Sequence, residues 1–257
     1  MSESLKQKVQ SQFGVAAADY ATSDIHAKGE SLERLLALLK PQPTWHALDV
    51  ATGAGHMALA LAPHVSTIVA SDLTSEMLET TARLATERGL TNVELLRADA
   101  EHLPLEDASV DLVSCRLAFH HFPRPDVAAR EMARVVRSGG WLAFTDNVTV
   151  DEPAAADYYN AYEKLRDPSH YRVDPQSQLA GRFEQAGFEI VATERLSKEF
   201  EFQGWADRQR VSAADKLRLL DMMRQIPLEL APLFAPRWAD DTMYFSLWEV
   251  VLVGRKR

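Results

Sequence analysis

The sequence predicts an α/β fold, a mostly parallel sheet with helices on both faces. Three observations point there. Short apolar runs alternate with amphipathic helical stretches from about residue 47 onward. A glycine-rich loop, Asp49-Val50-Ala51-Thr52-Gly53-Ala54-Gly55, joins the first strand to the helix after it. Acids close each of the first three strands, at Asp49, Asp72 and Asp99. Right-handed crossovers place helices on both faces of such a sheet. Its ligands bind outside the carboxyl ends of the strands.

The elements follow in order. Leu32, Leu35, Leu36 and Leu39 recur at 3/4 spacing, which predicts a helix over 29–39 ended by Pro41 and Pro43. A buried strand is expected at 47–50, and a helix at 56–62 ended by Pro63. The second strand, 67–70, is closed by Asp72. A helix follows at 75–88, with Thr74 or Ser75 as N-cap and Gly89 beyond its end. Strands are expected at 93–96, 110–115 and 141–146, with a helix over 126–137 ended by Gly139-Gly140. After residue 147 the rhythm breaks into a tyrosine-rich helical stretch (Tyr158, Tyr159, Tyr162) and a polar run over 166–172. A helix at 176–186 and a strand at 188–202 resume the sheet. Residues 204–236 read as a helical insertion, and 243–253 as a last apolar strand. The chain reads as one domain over 1–257. Its ligand-binding core is 28–147, and 1–27, 148–175 and 204–240 form a helical lid or substrate-side elements.

Composition narrows the function. The 257 residues are 46% hydrophobic and 25% charged, as in a globular protein with a sizeable core. The net charge is -9, and no basic run exists beyond Arg255-Lys256-Arg257. Phosphate backbones demand clustered Lys and Arg, so no nucleic-acid partner is expected. The single cysteine, Cys115, excludes an internal disulfide and a cysteine-rich metal site, and no metal is expected. No run approaches the roughly 20 apolar residues of a membrane span. The first twelve residues lack the apolar centre of a signal peptide, so the expected location is cytoplasmic. Monomer and homodimer both stay open.

Gly53 and Gly55 allow a tight turn and let backbone approach a ligand. The pattern Gly53-x-Gly55-x-x-Ala58 falls within the dinucleotide fingerprint, but a plain strand–helix turn also explains it. Asp49 at a strand end needs partners when buried. It either receives loop donors or meets the amine of a bound amino acid. Asp72 suits both hydroxyls of a ribose, or the cap of the next helix. Asp99 suits an exocyclic adenine amine, with the Ala100 N–H on a ring nitrogen and Leu73, Met77 and Leu103 around the ring.

Four stretches occur in a fixed order: Leu48–His56, Asp72-Leu73-Thr74-Ser75-Glu76-Met77-Leu78, Ala98-Asp99-Ala100-Glu101-His102-Leu103-Pro104, and Glu131–Gly140. With them the chain resembles class I S-adenosylmethionine (SAM)-dependent methyltransferases, of the type 11 group related to ubiquinone/menaquinone C-methyltransferases. The resemblance covers about residues 10–150. It implies a seven-stranded Rossmann-like sheet of order 3-2-1-4-5-7-6 with the last strand antiparallel. It also implies SAM as cofactor, held by Asp49, Ala51, Gly53, Gly55, Asp72, Leu73, Asp99, Ala100 and Cys115. Ala51 stands where many relatives have glycine. Nothing after residue 148 matches the quinone enzymes, so their substrate does not carry over.

The acceptor is expected at the end of the fourth strand, as a small molecule. His120 and His121 are the candidate catalytic bases, since neutral imidazole takes a proton near pH 7. Tyr20, Arg116, His120, His170 and Arg172 are candidate acceptor contacts, with Arg166 as a further possible clamp for an anion. Phe13, Tyr20 and His26 suit an N-terminal lid. Two other readings compete. A nicotinamide-dependent oxidoreductase could share the loop, but Tyr162-Glu163-Lys164 lacks the Tyr-x-x-x-Lys spacing. A non-catalytic methyltransferase-fold partner would not need all three acids.

Overall fold

The computed structural model describes residues 2–21 and 29–257, with side chains described over 3–14 and 29–257. Its strands are β1 (His46–Val50), β2 (Thr67–Asp72), β3 (Val93–Arg97), β4 (Val110–Arg116), β5 (Val136–Val148), β6 (Phe188–Glu201), β7 (Arg237–Ala239) and β8 (Thr242–Lys256). They form one sheet in the order β3-β2-β1-β4-β5-β8-β6, with β7 paired to β8. The first five are parallel, and β8 runs antiparallel to β5, β6 and β7. This is the expected order with one short strand added. β7 and β8 are joined as a hairpin through Asp240-Asp241, with Asp240 in the left-handed region at φ 52°.

The helices are α1 (Ser2–Ala21), α2 (Glu30–Leu39), α3 (His56–Leu61), α4 (Ser75–Glu87), α5 (Pro125–Val135), α6 (Pro153–Arg166), α7 (Gln176–Ala186), α8 (Phe202–Asp207), α9 (Ala213–Arg224) and α10 (Ala231–Phe234). Alternation along the strands divides the core between the two faces of the sheet. Leu48, Val50, Val113 and Phe144 pack with Ala128 and Met132 of α5 and Phe183 of α7. Ala47, Leu112, Ala143 and Val251 pack with Leu32 and Leu35 of α2 and Met57 and Leu61 of α3. A third cluster joins the late helices to the start of β8, through Tyr159, Tyr162, Trp205, Phe234 and Phe245.

One boundary differs from expectation. The helix predicted over 126–137 stops at Val135, and Val136 is already extended at φ -81°, ψ 130°. Val136 pairs with Val110, and an irregularity follows before Trp141 meets Leu112. Gly139-Gly140 therefore sits inside β5 rather than ending a helix. Pairing of a β-branched residue with the neighbouring strand overrides the local helical pattern here. Among the described residues, no helix is long and apolar enough to cross a membrane.

Candidate active site

The carboxyl ends of the parallel strands open into a cavity of about 500 Å³, the size of a small-molecule site. Lys6, Val9 and Phe13 of α1 line one flank, and Glu163, Arg166 and Trp205 line another.

The loop after β1 forms one wall. Ala51, Gly53 and Gly55 all hold positive φ, at 53°, 55° and 84°. Gly55 is demanded by packing. A Cβ there would stand 2.6 Å from Thr81 Cγ2 on α4, and the Thr81 hydroxyl donates to the Gly53 carbonyl at 2.9 Å. Gly53 lines the cavity, and a Cβ there meets nothing within 4 Å. Ala51 adopts the same left-handed region despite its Cβ, a strain of about 1–2 kcal/mol.

Asp49 is 1% exposed and accepts from the hydroxyls of Ser114 and Thr52, each at 2.6 Å. Burial pushes its pKa up to about 6 against those bonds. It ties down its own loop while also lining the cavity. Asp72 accepts from the Gly53 N–H at 2.9 Å and the Thr74 N–H at 2.8 Å. Burial raises its pKa against these bonds. Asp99 pairs with Lys6 Nζ at 2.6 Å, and Lys6 also reaches Glu101 at 2.5 Å. Gln10 donates to the Leu73 carbonyl at 3.1 Å. These bonds hold α1 across the ends of β2 and β3. Leu73, Met77 and Ala100 line the cavity, whereas Leu103 belongs to the core.

Cys115 does not enter the cavity. Strand alternation turns Ser114 and Arg116 to one face and sends Cys115 to the other, where it is fully buried with the α5 and α7 contacts. Burial drives its thiol pKa well up.

The other half of the cavity gathers imidazoles and charges. His120 lies in a 3₁₀ turn, Phe119–His121. Its N–H donates to Asp146 Oδ2 at 3.0 Å, and its Nδ1 lies 2.6 Å from Asp146 Oδ1. An ionised carboxylate only accepts, so Nδ1 carries the hydrogen and Nε2 is left as the acceptor. Burial lowers the His120 pKa, but the Asp146 charge and hydrogen bond outweigh it, and the net direction is up. His121 Nδ1 faces the Ser169 carbonyl at 3.1 Å, and burial beside His120 brings its pKa down to about 4. His170 Nε2 faces Asn160 Oδ1 at 2.8 Å, and burial lowers it further. Of the three imidazoles, His120 alone is biased toward holding a proton.

Arg116 and His170 line the cavity. Arg172 does not: it pairs with Asp157 at 2.9 Å and Asp174 at 3.3 Å. The Tyr20 side chain and His26 lie outside the described residues. Three acids come to the site without having been singled out. Asp146 ends β5 as Asp49, Asp72 and Asp99 end the earlier strands, so the same signal was available. Glu249 is the single charge within the apolar run 243–253 of β8, and it pairs with Lys198. Glu163 lies in the last turn of α6, and nothing in its neighbourhood marks it.

Strand order and cavity placement define the class: a Rossmann-like class I methyltransferase fold. A family model described as a methyltransferase domain, of the type 11 group, matches residues 48–144. The chain is 32% identical over 196 residues to an uncharacterized methyltransferase, YcgJ, of Bacillus subtilis, covering 76% of this chain and 78% of the relative. A Listeria monocytogenes demethylmenaquinone methyltransferase is 26% identical over 218 residues, 74% of this chain and 91% of the relative. A crystal structure of a Bacillus halodurans C-125 protein described as a methyltransferase superposes with a TM-score of 0.84 at 35% identity, covering 89% of this chain and 99% of that one. The chain belongs to this SAM-dependent methyltransferase family.

Proposed function

We propose that the chain methylates a small-molecule acceptor held in this cavity, with His120 as the base and Asp146 as the residue that orients it. The observation that carries the reading is the His120 Nδ1–Asp146 contact of 2.6 Å inside the cavity wall. Bound SAM supplies an electrophilic methyl group on a positively charged sulfur. Asp72 would take the ribose hydroxyls, and Leu73, Met77 and Ala100 would flank the adenine beside Asp99. The Ala51–Gly53 backbone approaches the methionine end, with Asp49 fixing the loop from behind. The fit rests on three features of the chain: a carboxylate at each of two strand ends, an apolar slot between them, and a glycine whose missing Cβ leaves open space.

Asp146 holds His120 with Nε2 as the acceptor nitrogen, which takes a proton from an O–H or N–H of the acceptor. His121 and His170, both biased neutral by burial, shape the wall. The late helices and α1 close the cavity, as a lid would, and positioning with exclusion of water supplies much of the rate. Calorimetric titration with SAM, S-adenosylhomocysteine and NADPH tests the cofactor half. SAM and S-adenosylhomocysteine are expected to bind and NADPH not, and the converse sinks the assignment. Loss of turnover in His120→Ala with SAM affinity kept tests the base.

A further inference from the structure

The wall next to His120 is rich in carboxylates, and one of them is incomplete. Asp146, Glu163 and Asp167 surround the imidazoles, and all three are buried. Asp146 is spent on His120 and the Asn147 N–H. Asp167 Oδ1 accepts both the N–H and the hydroxyl of Ser169, at 2.8 and 2.5 Å. Glu163 is different. Its side chain is 6% exposed and lines the cavity. Its Oε2 stands 3.6 Å from Arg166, beyond a good hydrogen bond, and no described residue bonds its Oε1.

Arg166 brings a positive charge to Oε2 at 3.6 Å, but no described residue bonds Oε1. The Arg166 guanidinium lies 4.2 Å over the Trp205 ring and reaches the Trp205 carbonyl at 3.4 Å. Lys164 donates to the His170 carbonyl. An ionised carboxylate out of water needs a cation and hydrogen-bond donors, or it is strongly unfavourable. On the far wall, Glu249 repeats the pattern at lower stake: Lys198 holds one oxygen, and Oε2 has no described partner.

We infer that the methyl acceptor carries a protonated amine, and that Glu163 binds it beside the imidazole of His120. The aromatic faces of Trp205, Phe200 and Phe13 in the same cavity suit an apolar body attached to that amine. The acceptor is then a compact organic cation rather than an anion clamped by arginines. Arg166, the clamp that the sequence suggested, is already engaged by Trp205 and faces Glu163. This inference rests on the proposed acceptor site and names what occupies it.

The test uses the full chain saturated with S-adenosylhomocysteine and titrates matched amine and alcohol probes: phenethylamine against phenethyl alcohol, and tyramine against its alcohol counterpart. The amines are expected to bind at least about tenfold more tightly than the alcohols, the scale of one buried charge pair. In Glu163→Gln, which keeps the shape, that preference is expected to fall to about twofold or less. S-adenosylhomocysteine affinity is measured in both proteins and is expected to be unchanged, which shows that the variant is folded. Equal affinity for amine and alcohol, binding of neither, or an amine preference that survives Glu163→Gln overturns the inference. Failure of S-adenosylhomocysteine to bind the unmodified chain instead overturns the cofactor assignment beneath it.

Discussion

Gly53 and Gly55 look equivalent in the sequence, and the structure separates them. Replacing either by alanine places a Cβ at positive φ, at a cost of about 1–2 kcal/mol. At Gly53 nothing else happens to the fold, because a Cβ there meets nothing within 4 Å. At Gly55 the new Cβ meets Thr81 Cγ2 at 2.6 Å and Oγ1 at 2.8 Å. Thr81 is β-branched and stiff, and overpacking of this kind adds about 1–3 kcal/mol. Gly55→Ala should therefore lose about 2–5 kcal/mol, or roughly 4–20 °C in Tm at about 2–4 °C per kcal/mol. Gly53→Ala should lose about 1–2 kcal/mol but weaken SAM binding at least about tenfold, since backbone approach to the ligand is what glycine permits there.

The assay is a thermal or urea unfolding series on the two single variants, Thr81→Ala, and the Gly55→Ala/Thr81→Ala double variant, with SAM titrations alongside. Thr81→Ala alone costs about 1 kcal/mol through its lost bond to the Gly53 carbonyl. In the double variant the contacts at 2.6 and 2.8 Å are gone and only the one with the residue 81 Cβ at 3.1 Å remains, so the two losses should fall short of additivity by at least about 1 kcal/mol. Equal losses for the two glycines together with an additive double variant would refute the assignment of Gly55 to helix packing.

Three further outcomes are expected. Asp72→Ala should weaken SAM affinity at least about tenfold, read by calorimetry, while circular dichroism shows the fold kept; unchanged affinity removes Asp72 from the site. Asp146→Asn should lower the His120 pKa, because burial then acts with less opposing charge, and should shift its nitrogen NMR signals away from the Nδ1–H tautomer; an unmoved pKa denies the pairing. With Asp146 in place, the raised His120 value adds stability that is complete below about pH 6.5 and fades as pH rises through the folded-state value. Asp49 has the same sign. Its pKa is about 6 against an ordinary 3.8, so its contribution is full below about pH 4 and lost through about pH 6. The stability difference between the unmodified chain and Asp49→Asn should change by about 3 kcal/mol between pH 4 and pH 7 in urea unfolding. A pH-independent difference contradicts the buried, hydroxyl-solvated state of Asp49.

Much of the proposed cofactor half is local in sequence, and so its placement at one sheet edge was legible. Each strand end, its acid and the glycine turn fall within a few residues, and strand alternation with crossover handedness puts them on one edge. Cys115, which the family resemblance places in the cofactor site, lies away from the cavity in the core with α5 and α7. Proximity to a strand end does not say which face a side chain takes, and Ser114 and Arg116 occupy the face that Cys115 does not. Arg172 was misplaced because a polar run fixes no direction, and Asp157 and Asp174 decide it from other segments.

The sequence by itself determined the α/β alternation and the acids at the ends of β1, β2 and β3, because periodicity and turn chemistry are local constraints; the strand order came only with the resemblance to the methyltransferase family. Only the tertiary structure decided how the His120 half of the cavity is wired. His120 finds Asp146 across 26 residues, His121 meets Ser169 across 48, and Glu249 arrives on an antiparallel strand. Which oxygen or nitrogen stays available for an acceptor depends on how those distant segments use up one another's hydrogen bonds, and no local pattern encodes that.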